Sequence, residues 1–496
     1  MSLKREEVLE RVSALRRGYR RVRDALPWLD ASVWEDQPPA FPGFAAKLNT
    51  DCARTAPANP ALAPQLRKLW EQPIRMIRLA PRQHALESCG ALLEGMEALG
   101  MPLVVLHTDL GFSGLRALVA ERPRLNIILE SGPRKLIYHL KEVKELLSQT
   151  ANVHLCTYNF ANWRGHEELV EMGLGSRLLY GSHWPLYSAD AAMGPIVMGN
   201  FSWEIKCAIA GNNLRRLLGL PPVMAAEVGY SVPAPFIIDA HAHNLQPGAG
   251  GSYAMLTPDL KFTPADWRAV MDAIAFDRLF LIPGEVLDDP GRSSRQYTAE
   301  LRRGFPGRFS YFEVFHPAGD SAHRRRLLEA HEDPDCVGIK IHPVMHKTVG
   351  DDEAYAHVYE VAARFKKTIM THSWEISDYN PEQYRAHPDR FRRYLPKLNG
   401  LPFVLGHAGG RPSAFAAVAG LCRDFPGVHV DLAGDYFHNG VVDALAAALG
   451  HHRVLFATDV DWFDPRCNLA MALGCGLPDD QLADVLRLNA ERVYGS

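Results

Sequence analysis

Residues 236–244 read FIIDAHAHN, and this stretch decides the fold. Three apolar residues lead into Asp239, His241 and His243, in the alternation that is typical of a β-strand. Side chains two residues apart on a strand point to the same face, so both imidazoles are expected on one side of it. Two histidines that share a face can ligate one metal ion. The stretch therefore predicts a strand with a metal site near its carboxyl end.

Seven further strand-like runs follow, separated by helix-like stretches. They are RLFLIP (278–283), FSYFEVF (309–315), CVGIKIHP (336–343), KTIMTH (367–372), PFVLGH (402–407), VHVDLA (428–433) and RVLFATD (453–459). Strands that alternate with helices are typical of a parallel sheet. Eight such strands in roughly 250 residues predict a TIM-type (β/α)8 barrel.

Titratable residues stand where three of these runs end. His372 closes KTIMTH, His407 closes PFVLGH and Asp459 closes RVLFATD. Barrel active sites lie at the carboxyl ends of the strands. We therefore expect these three side chains to meet the pair formed by His241 and His243.

A second group of polar residues surrounds the expected mouth of the barrel. Lys340 and His342 share one face of CVGIKIHP. Lys340 is interpreted in three ways: a carbamylated lysine that bridges two metals, a contact to a substrate carboxylate, or a structural ion pair. His342, nearer the strand end, is a candidate for substrate or second-metal binding, as is Glu375. Asp461 and His438 are further candidates.

The first half of the chain repeats the same order of motifs. Its pairs are Ser131 with His407, His183 with Asp459 and Asn213 with Asn489, and 407 − 131, 459 − 183 and 489 − 213 all equal 276. One offset held across three elements indicates a duplicated domain, which should be sought before any fold is assigned. The chain is therefore expected to be α/β, with two TIM-type barrels.

The first copy is shorter and has lost most of the motif residues. WLDASVWE (28–35) parallels FIIDAHAH with an offset of only 241 − 32 = 209. The further pairs are Ser32 with His241, Trp34 with His243, Arg78 with Lys340 and His107 with His372. One remaining strand-end histidine among serine and tryptophan does not hold a metal tightly. We expect the first copy to be non-catalytic, with a metal-free ligand pocket as the alternative.

These observations predict four segments. Residues 1–25 form an amphipathic helix, 26–220 an abbreviated, degenerate barrel, 221–235 a proline-rich linker and 236–496 the catalytic barrel. A homo-oligomer is kept as a form of assembly that the sequence allows.

The second copy resembles the amidohydrolase superfamily, and in particular the branch of aminocarboxymuconate-semialdehyde decarboxylase. The resemblance is carried by DAHAH (239–243), GIKIHP (338–343), THSW (371–374), GHAGG (406–410) and ATDVDW (457–462). It implies that His241, His243, His372 and Asp459 bind a divalent metal, commonly zinc, with manganese, iron or a second metal as alternatives. It also implies that His407 transfers protons beside the metal and that Asp459 is both a ligand and a catalytic residue.

Four functions are compatible with these residues. The leading expectation is a hydrolase in which metal-activated water attacks a C–N or C–O bond of a small molecule, since metals lower the pKa of bound water to ~7. A non-oxidative decarboxylase would use the same ligands. A dinuclear iron or manganese oxygenase is kept open by His342 and Glu375. A non-enzymatic scaffold is the fourth alternative.

Composition narrows the partners and the compartment. The 496 residues carry 54 basic and 57 acidic side chains, a formal charge of −3, which gives no basis for binding nucleic acid or an anionic membrane. The charged amino terminus does not match a signal peptide. The eight cysteines form no C-x-x-C pair, as expected in a reducing cytoplasm. A small-molecule substrate is therefore the expected partner.

Overall fold

The computed structural model describes residues 3–32, 55–57, 66, 76–78, 89–131, 136–244, 262–377 and 380–495. The chain forms two compact units, here called the barrel unit (Met1–Arg17 with Ser231–Ser496) and the amino-terminal unit (Gly18–Tyr230). Helix Arg5–Ala25 begins in the barrel unit and ends in the amino-terminal unit. Its apolar residues recur at helical spacing and are buried: Val8, Val12, Leu15 and Tyr19.

The amino-terminal unit contains one parallel sheet whose strands follow chain order. The strands are β1 (Thr55–Pro57), β2 (Met76–Arg78), β3 (Leu103–Leu106), β4 (Ile127–Glu130), β5 (Val153–Cys156) and β6 (Leu178–Leu179). After the first, the α-helices of this unit with described bounds are Gly90–Leu99, His107–Glu121, Leu140–Gln149, Gly165–Glu171, Ala189–Met198, Trp203–Cys207 and Asn213–Leu217. Six described strands fit the prediction of an abbreviated barrel.

The barrel unit contains eight parallel strands, again in chain order. They are β7 (Ile237–His243), β8 (Phe276–Ile282), β9 (Phe309–Val314), β10 (Cys336–Ile341), β11 (Thr368–His372), β12 (Phe403–Gly406), β13 (Val428–Asp431) and β14 (Val454–Leu455). The ring is closed by the Ala240 N–H, which donates to Phe456 O at 3.0 Å, and by the Asp459 N–H, which donates to His241 O at 2.9 Å. The predicted (β/α)8 barrel is confirmed.

Helices follow the strands, as a parallel barrel requires. The α-helices are Pro264–Ile274, Gly284–Asp288, Ser294–Tyr297, Ala299–Gly304, Ser321–Ala330, Ala356–Phe365, Phe415–Asp424, Val441–Leu449, Pro465–Gly474, Asp479–Ala483 and Asn489–Tyr494. In the described residues, no helix combines the length and the apolar character that crossing a membrane requires.

One apolar core draws residues from seven strands of the barrel. The cluster includes Ile238, Phe280, Phe312, Met370, Val404 and Leu455, all nearly or fully buried. On strands β7, β11 and β12, these residues precede the histidines predicted for the site. The apolar core therefore lies toward the amino ends of the strands, which leaves the carboxyl ends for polar side chains.

The two units share the spacing of their last elements. Four pairs of elements each differ by 276 in residue number. They are strands β6 and β14, helices Ala189–Met198 and Pro465–Gly474, helices Trp203–Cys207 and Asp479–Ala483, and the π-helical turns Ala208–Asn212 and Asp484–Leu488. A single π-turn in the middle of a helix is rare. Its recurrence at the same place makes the local folds of the two units closely alike.

Candidate metal centre

Three buried donors meet at the carboxyl end of the barrel. Ligand atoms of His241, His407 and Asp459 lie within 4.8 Å of one another. Within the described parts of the chain, these three residues form the one group of histidine, cysteine or acidic side chains that is large and close enough to hold a metal ion. The three residues come from β7, from the end of β12 and from the segment after β14, so the barrel closure brings together distant parts of the sequence.

His243 adds a fourth donor beside this group. Its Nε2 lies 2.9 Å from Asp459 Oδ1, and His241 Nε2 lies 3.5 Å from the same oxygen. The Nδ1 of His243 contacts Ile282 O at 2.8 Å, which places the ring proton on Nδ1 and the lone pair on Nε2. Among the described residues, none donates a hydrogen bond to the buried Oδ1 of Asp459. The lone pair of His243 Nε2 and the Asp459 Oδ1 oxygen face each other at 2.9 Å, a separation that suits two ligands of one divalent cation.

His372 lies at the end of β11, beside the cluster. Its ring centroid is 4.8 Å from that of His407, and its Nε2 bonds Gln383 Oε1 at 2.9 Å. An amide oxygen accepts, so the proton is on Nε2 and Nδ1 keeps the lone pair that a metal needs. The geometry therefore leaves His372 able to act as a ligand through Nδ1.

Two of the residues that carry these side chains have an unusual backbone conformation. His407 has φ 64° and Asp459 has φ 66°, both in the left-handed region that ordinary residues rarely adopt. Gly434, with φ 79°, approaches both, and a Cβ there would meet His407 Nδ1 at 3.0 Å and Asp459 Oδ2 at 3.4 Å. Strain of this kind is concentrated at functional sites.

The buried environment sets the protonation states that metal binding needs. Burial, reinforced by Lys340, holds the pKa of His241 well below its usual value, and burial lowers the pKa of His407 to about 4. Burial opposes ionisation of Asp459, but the neighbouring imidazoles, led by His407, hold the pKa of this carboxyl well below its usual range. Neutral imidazoles and an ionised carboxylate are the forms that ligate metals.

A lysine contributes positive charge to the same site. Lys340, on β10, is buried, and its Nζ lies 3.3 Å from His241 Nε2. Burial lowers the pKa of Lys340 to about 8, while Asp431 and Asp459 oppose that shift. The side chain therefore carries an ammonium group into the site at neutral pH.

The other predicted candidates lie outside the cluster. The His342 ring stacks on His372 with centroids 4.2 Å apart, and its Nδ1 accepts from the Met345 N–H at 3.3 Å. Glu375 accepts a hydrogen bond from the Ser413 hydroxyl. Neither belongs to a group that could hold a second metal among the described residues.

Asp431 belongs to the site and was not singled out in the sequence. It ends β13 and is fully buried, and its Oδ2 lies 2.9 Å from His241 Nδ1. Its position in VHVDLA, at the carboxyl end of a barrel strand, is the signal that could have identified it.

The amino-terminal unit reproduces the frame of this site. Asp30 Oδ1 accepts from the N–H groups of Ser32 and Ser182 at 2.8 and 3.1 Å, and the Ser182 hydroxyl donates to the other oxygen of Asp30. In the barrel unit, Asp239 accepts in the same way from the N–H groups of His241 and Thr458, at 3.1 and 3.2 Å, and from the Thr458 hydroxyl. The frame is thus present in both units.

The ligands themselves differ in the amino-terminal unit. Arg78 Nη2 donates to both carboxylate oxygens of the buried Glu130, at 2.6 and 2.5 Å, and His183 Nε2 lies 3.5 Å from Glu130. The Nδ1 of His107 is 3.3 Å from Glu130 O. Trp34, predicted to stand in place of His243, lies outside the described residues.

Glu130 occupies the register position of Gly406 in the barrel unit. There, a Cβ on Gly406 would come within 3.1 Å of the His241 ring. The amino-terminal unit has the small Ser32 in place of His241, which leaves room for the carboxylate. Burial opposes ionisation of Glu130, but Arg78 and His183 outweigh it and lower its pKa. An ion pair thus fills this position in the amino-terminal unit.

Comparison with solved structures finds matches of low sequence identity. They include 2,6-dihydroxybenzoate decarboxylase from Rhizobium (14% identity, 53% of this chain and 99% of that one, TM-score 0.40). They also include 5-carboxyvanillate decarboxylase from Sphingomonas paucimobilis (16% identity, 52% and 98%, TM-score 0.40). A third is a dihydroxybenzoic acid decarboxylase from Polaromonas sp. JS666 with bound manganese and 2-nitroresorcinol (14% identity, 53% and 97%, TM-score 0.41).

The family comparison is more direct. No curated protein matches the chain. The amidohydrolase family model matches residues 238–496, which is slightly more than half of the chain and contains every donor of the metal centre. This chain is therefore an enzyme of the amidohydrolase family.

Proposed function

We propose that the barrel unit is a metal-dependent decarboxylase that acts on a small carboxylic acid. The observation that carries this proposal is the buried ammonium of Lys340, whose Nζ lies 3.3 Å from His241 Nε2. A cation that is held beside the proposed metal ligands favours a substrate that brings its own negative charge. This favours the decarboxylase over the hydrolase that the sequence suggested first.

The proposed ligands are His241, His243, His372 and Asp459. When bound, the divalent ion supplies a Lewis acid that stabilises negative charge on a substrate oxygen. Three imidazoles and one carboxylate suit zinc, and they also suit manganese or iron. We propose zinc as the first metal to test, with manganese as the second.

Two groups of the chain are available for the substrate. The Lys340 ammonium can pair with the substrate carboxylate and orient it. In decarboxylation the bond to the carboxylate carbon breaks, its electron pair stays on the substrate carbon, CO2 leaves and a proton joins that carbon. His407, buried beside Asp459, is proposed to take up a proton from water and pass it to that carbon.

Hydrolysis is the second candidate, and His407 is the observation that favours it. Burial lowers the pKa of His407 to about 4, and its Nδ1 contacts Ala433 O at 3.2 Å. The ring is therefore neutral at pH 7, with its lone pair on Nε2. A neutral imidazole can accept a proton from water that attacks a C–N or C–O bond.

A substrate panel separates these two functions. The metal-loaded protein is incubated with carboxylic acids that carry a ¹³C-labelled carboxyl group, and with esters, amides and lactones. Release of labelled CO2 supports decarboxylation, whereas cleavage of the second set without CO2 release supports hydrolysis. If neither set reacts, both assignments fail.

Lys340 provides the sharper variant. Lys340→Met removes the charge but keeps the length of the side chain, and is expected to raise KM for a carboxylate substrate by about 10–100-fold, as expected for loss of a charged hydrogen bond. The matched control is Lys367→Met, because the Lys367 ammonium donates to Cys336 O at 2.7 Å and has no place in the site. An unchanged KM in Lys340→Met would contradict the assignment.

We further propose that the amino-terminal unit is a degenerate, non-catalytic copy of the barrel unit. The offset of 276 in element spacing and the matching Asp30 and Asp239 hydrogen bonds support common descent. The pairing of Arg78 with Glu130 supports the loss of its metal site.

A further inference from the structure

We propose that Asp431 is a positioning residue that fixes the proton of His241 on Nδ1 and so presents Nε2 to the metal. This inference rests on the metal site proposed above. It concerns a residue at the end of β13 that contributes no ligand to that site.

The contacts of Asp431 use both of its carboxylate oxygens. Oδ2 accepts from His241 Nδ1 at 2.9 Å, while Oδ1 accepts from the N–H groups of His407 at 2.7 Å and Ala433 at 3.1 Å. Asp431 and His241 are both buried, at 0% and 1% exposure. Water therefore does not compete for these bonds, and one carboxylate holds the side chain of one site residue and the main chain of another.

The chemistry of this contact selects one tautomer of His241. A carboxylate only accepts hydrogen bonds, so the His241 nitrogen that faces it must carry the proton. Nε2 then keeps its lone pair, and it lies 3.5 Å from Asp459 Oδ1 in the cluster. A carboxylate that orients a metal-binding histidine in this way fixes the ring and raises its basicity.

The same carboxylate supports the unusual backbone of His407. That residue has φ 64°, a conformation which is unfavourable for a non-glycine residue and persists only where neighbours enforce it. The hydrogen bond from the His407 N–H to Asp431 Oδ1 is one such constraint. Asp431 therefore couples the orientation of His241 to the position of His407.

The amino-terminal unit offers an independent comparison. In β4–β5 the register pairs Leu129 with Leu155, and in β12–β13 it pairs Leu405 with Val430. The next residues along β5 and β13 are Cys156 and Asp431. The unit with Ser32 in place of His241 thus has a thiol in place of the carboxylate.

The retained aspartate of the frame makes this comparison selective. Asp30 and Asp239 are kept in both units, and they bind main-chain N–H groups at equivalent places. Asp431 is absent where the histidine is absent. An aspartate at the position of Asp431 therefore occurs only in the unit that has the imidazole, whereas an aspartate at the position of Asp239 occurs in both folds.

The decisive variant is Asp431→Asn. Two N–H donors face Oδ1, so the amide oxygen of asparagine takes that place and its NH2 group faces His241 Nδ1. His241 must then accept at Nδ1 and carry its proton on Nε2, which blocks the metal-binding lone pair. We expect the dissociation constant for Zn²⁺, measured by chelator competition, to rise about 10–100-fold.

The matched control is Asp239→Asn, which alters another buried carboxylate that bonds His241. Asp239 accepts this bond from the main-chain N–H of His241, at 3.1 Å, so Asp239 does not determine which ring nitrogen carries the proton. We expect lower thermal stability, because a buried hydrogen-bond network is weakened, but a rise in the Zn²⁺ dissociation constant that stays well below the about 10-fold minimum expected for loss of a ligand-orienting partner.

A spectroscopic measurement judges the tautomer without any metal. In ¹⁵N-histidine-labelled, metal-free wild type, the His241 signals are identified by their loss in His241→Gln, and Nδ1 is expected to be the protonated nitrogen. A proton on Nε2, or an unchanged Zn²⁺ dissociation constant in Asp431→Asn, would overturn the assignment. If Asp431→Asn fails to fold, the wild-type spectrum still decides. Failure of the wild type to bind any metal would instead overturn the proposed function.

Discussion

Each imidazole of the site is held through one ring nitrogen by a hydrogen-bond acceptor, so the other nitrogen keeps its lone pair. His241 is held by Asp431 and His243 by Ile282 O, both at Nδ1, whereas His372 is held by Gln383 at Nε2. These contacts determine where each lone pair points. The site is therefore organised by residues that never touch the metal, in keeping with the known importance of such neighbours for metal affinity.

His407 is expected to be needed for turnover and not for metal retention. In His407→Asn the proton-transfer group is lost while four proposed ligands remain, so kcat should fall about 10²–10⁴-fold, the usual contribution of a general acid or base. Metal content by elemental analysis should stay at the wild-type value. Because the ligand atom of His407 lies within the 4.8 Å cluster, a metal-free variant would identify His407 as a ligand instead.

Glu313, which lies outside the site, is expected to make the stability of the fold depend on pH. It lies on β9 with 1% exposure, and burial raises its pKa from 4.5 to about 8 although main-chain N–H groups oppose the shift. The folded state therefore holds this proton more tightly than the unfolded state. Its contribution to stability is fully present below pH 4.5 and is lost as the pH rises to about 8.

Glu313→Gln should remove that dependence. The variant is expected to lose less stability than wild type between pH 4.5 and pH 8, as measured by urea unfolding at several pH values. Glu329→Gln is the control, since the Glu329 side chain is 59% exposed. Parallel pH profiles for wild type and Glu313→Gln would show that Glu313 ionises normally.

The start of the last helix is tied to the start of the last strand by one asparagine in each unit. Asn489 Nδ2 donates to His451 O at 2.8 Å and to Val454 O at 2.6 Å, and Asn213 Nδ2 donates to Gly175 O and Leu178 O, both at 2.9 Å. Both asparagines are buried. They donate to carbonyl groups next to the final strand, of which Gly175 O and His451 O also accept a main-chain N–H, from Leu178 and Val454 respectively.

Asn489→Ala and Asn213→Ala are therefore expected to destabilise their own units similarly. Leaving a buried acceptor without its donor costs about 1–3 kcal/mol, and this should appear in the free energy of unfolding from urea titration. Asn212→Ala is the control, because its amide bonds Val223 at the surface and surface changes usually cost less than about 0.5 kcal/mol. Equal losses in Asn489→Ala and Asn212→Ala would argue against this role.

The sequence was informative for elements that repeat a pattern and less so for local backbone geometry. Alternation in FIIDAHAH predicted β7, and strand ends predicted where His372 and His407 lie. The positive φ of His407 and Asp459 left no trace in the sequence, because neither is glycine. Asp431 was missed because a single aspartate at a strand end is common.

The roles of individual ligands also depended on information that a pattern lacks. Side-chain direction decides whether His342 faces the cluster or stacks on His372, and periodicity alone does not separate these outcomes. Glu130 was overlooked because it stands at the position of Gly406, where no functional residue was sought. Its importance follows only from the buried contact with Arg78.

For the molecule as a whole, the central expectation is one metal ion per chain, held by the barrel unit. In the amino-terminal unit, the Arg78 guanidinium already neutralises the buried Glu130 carboxylate, and Ser32 supplies no imidazole. A metal would have to displace this buried, charge-assisted pair, and breaking such a pair costs about 3–5 kcal/mol. The two units should thus differ completely in metal content, despite their similar folds.

Paired double variants test this difference in the full chain. His241→Ala/His243→Ala should abolish metal binding, because two of the four proposed ligands are lost and the remaining donors form an incomplete set. His107→Ala/His183→Ala, which removes the same number of buried histidines from the amino-terminal unit, should leave the stoichiometry at one. Elemental analysis after dialysis against the metal gives both values. Metal retained in the first variant, or lost from the second while its fold is intact by circular dichroism, would place the metal in the amino-terminal unit and contradict its assignment as the degenerate copy.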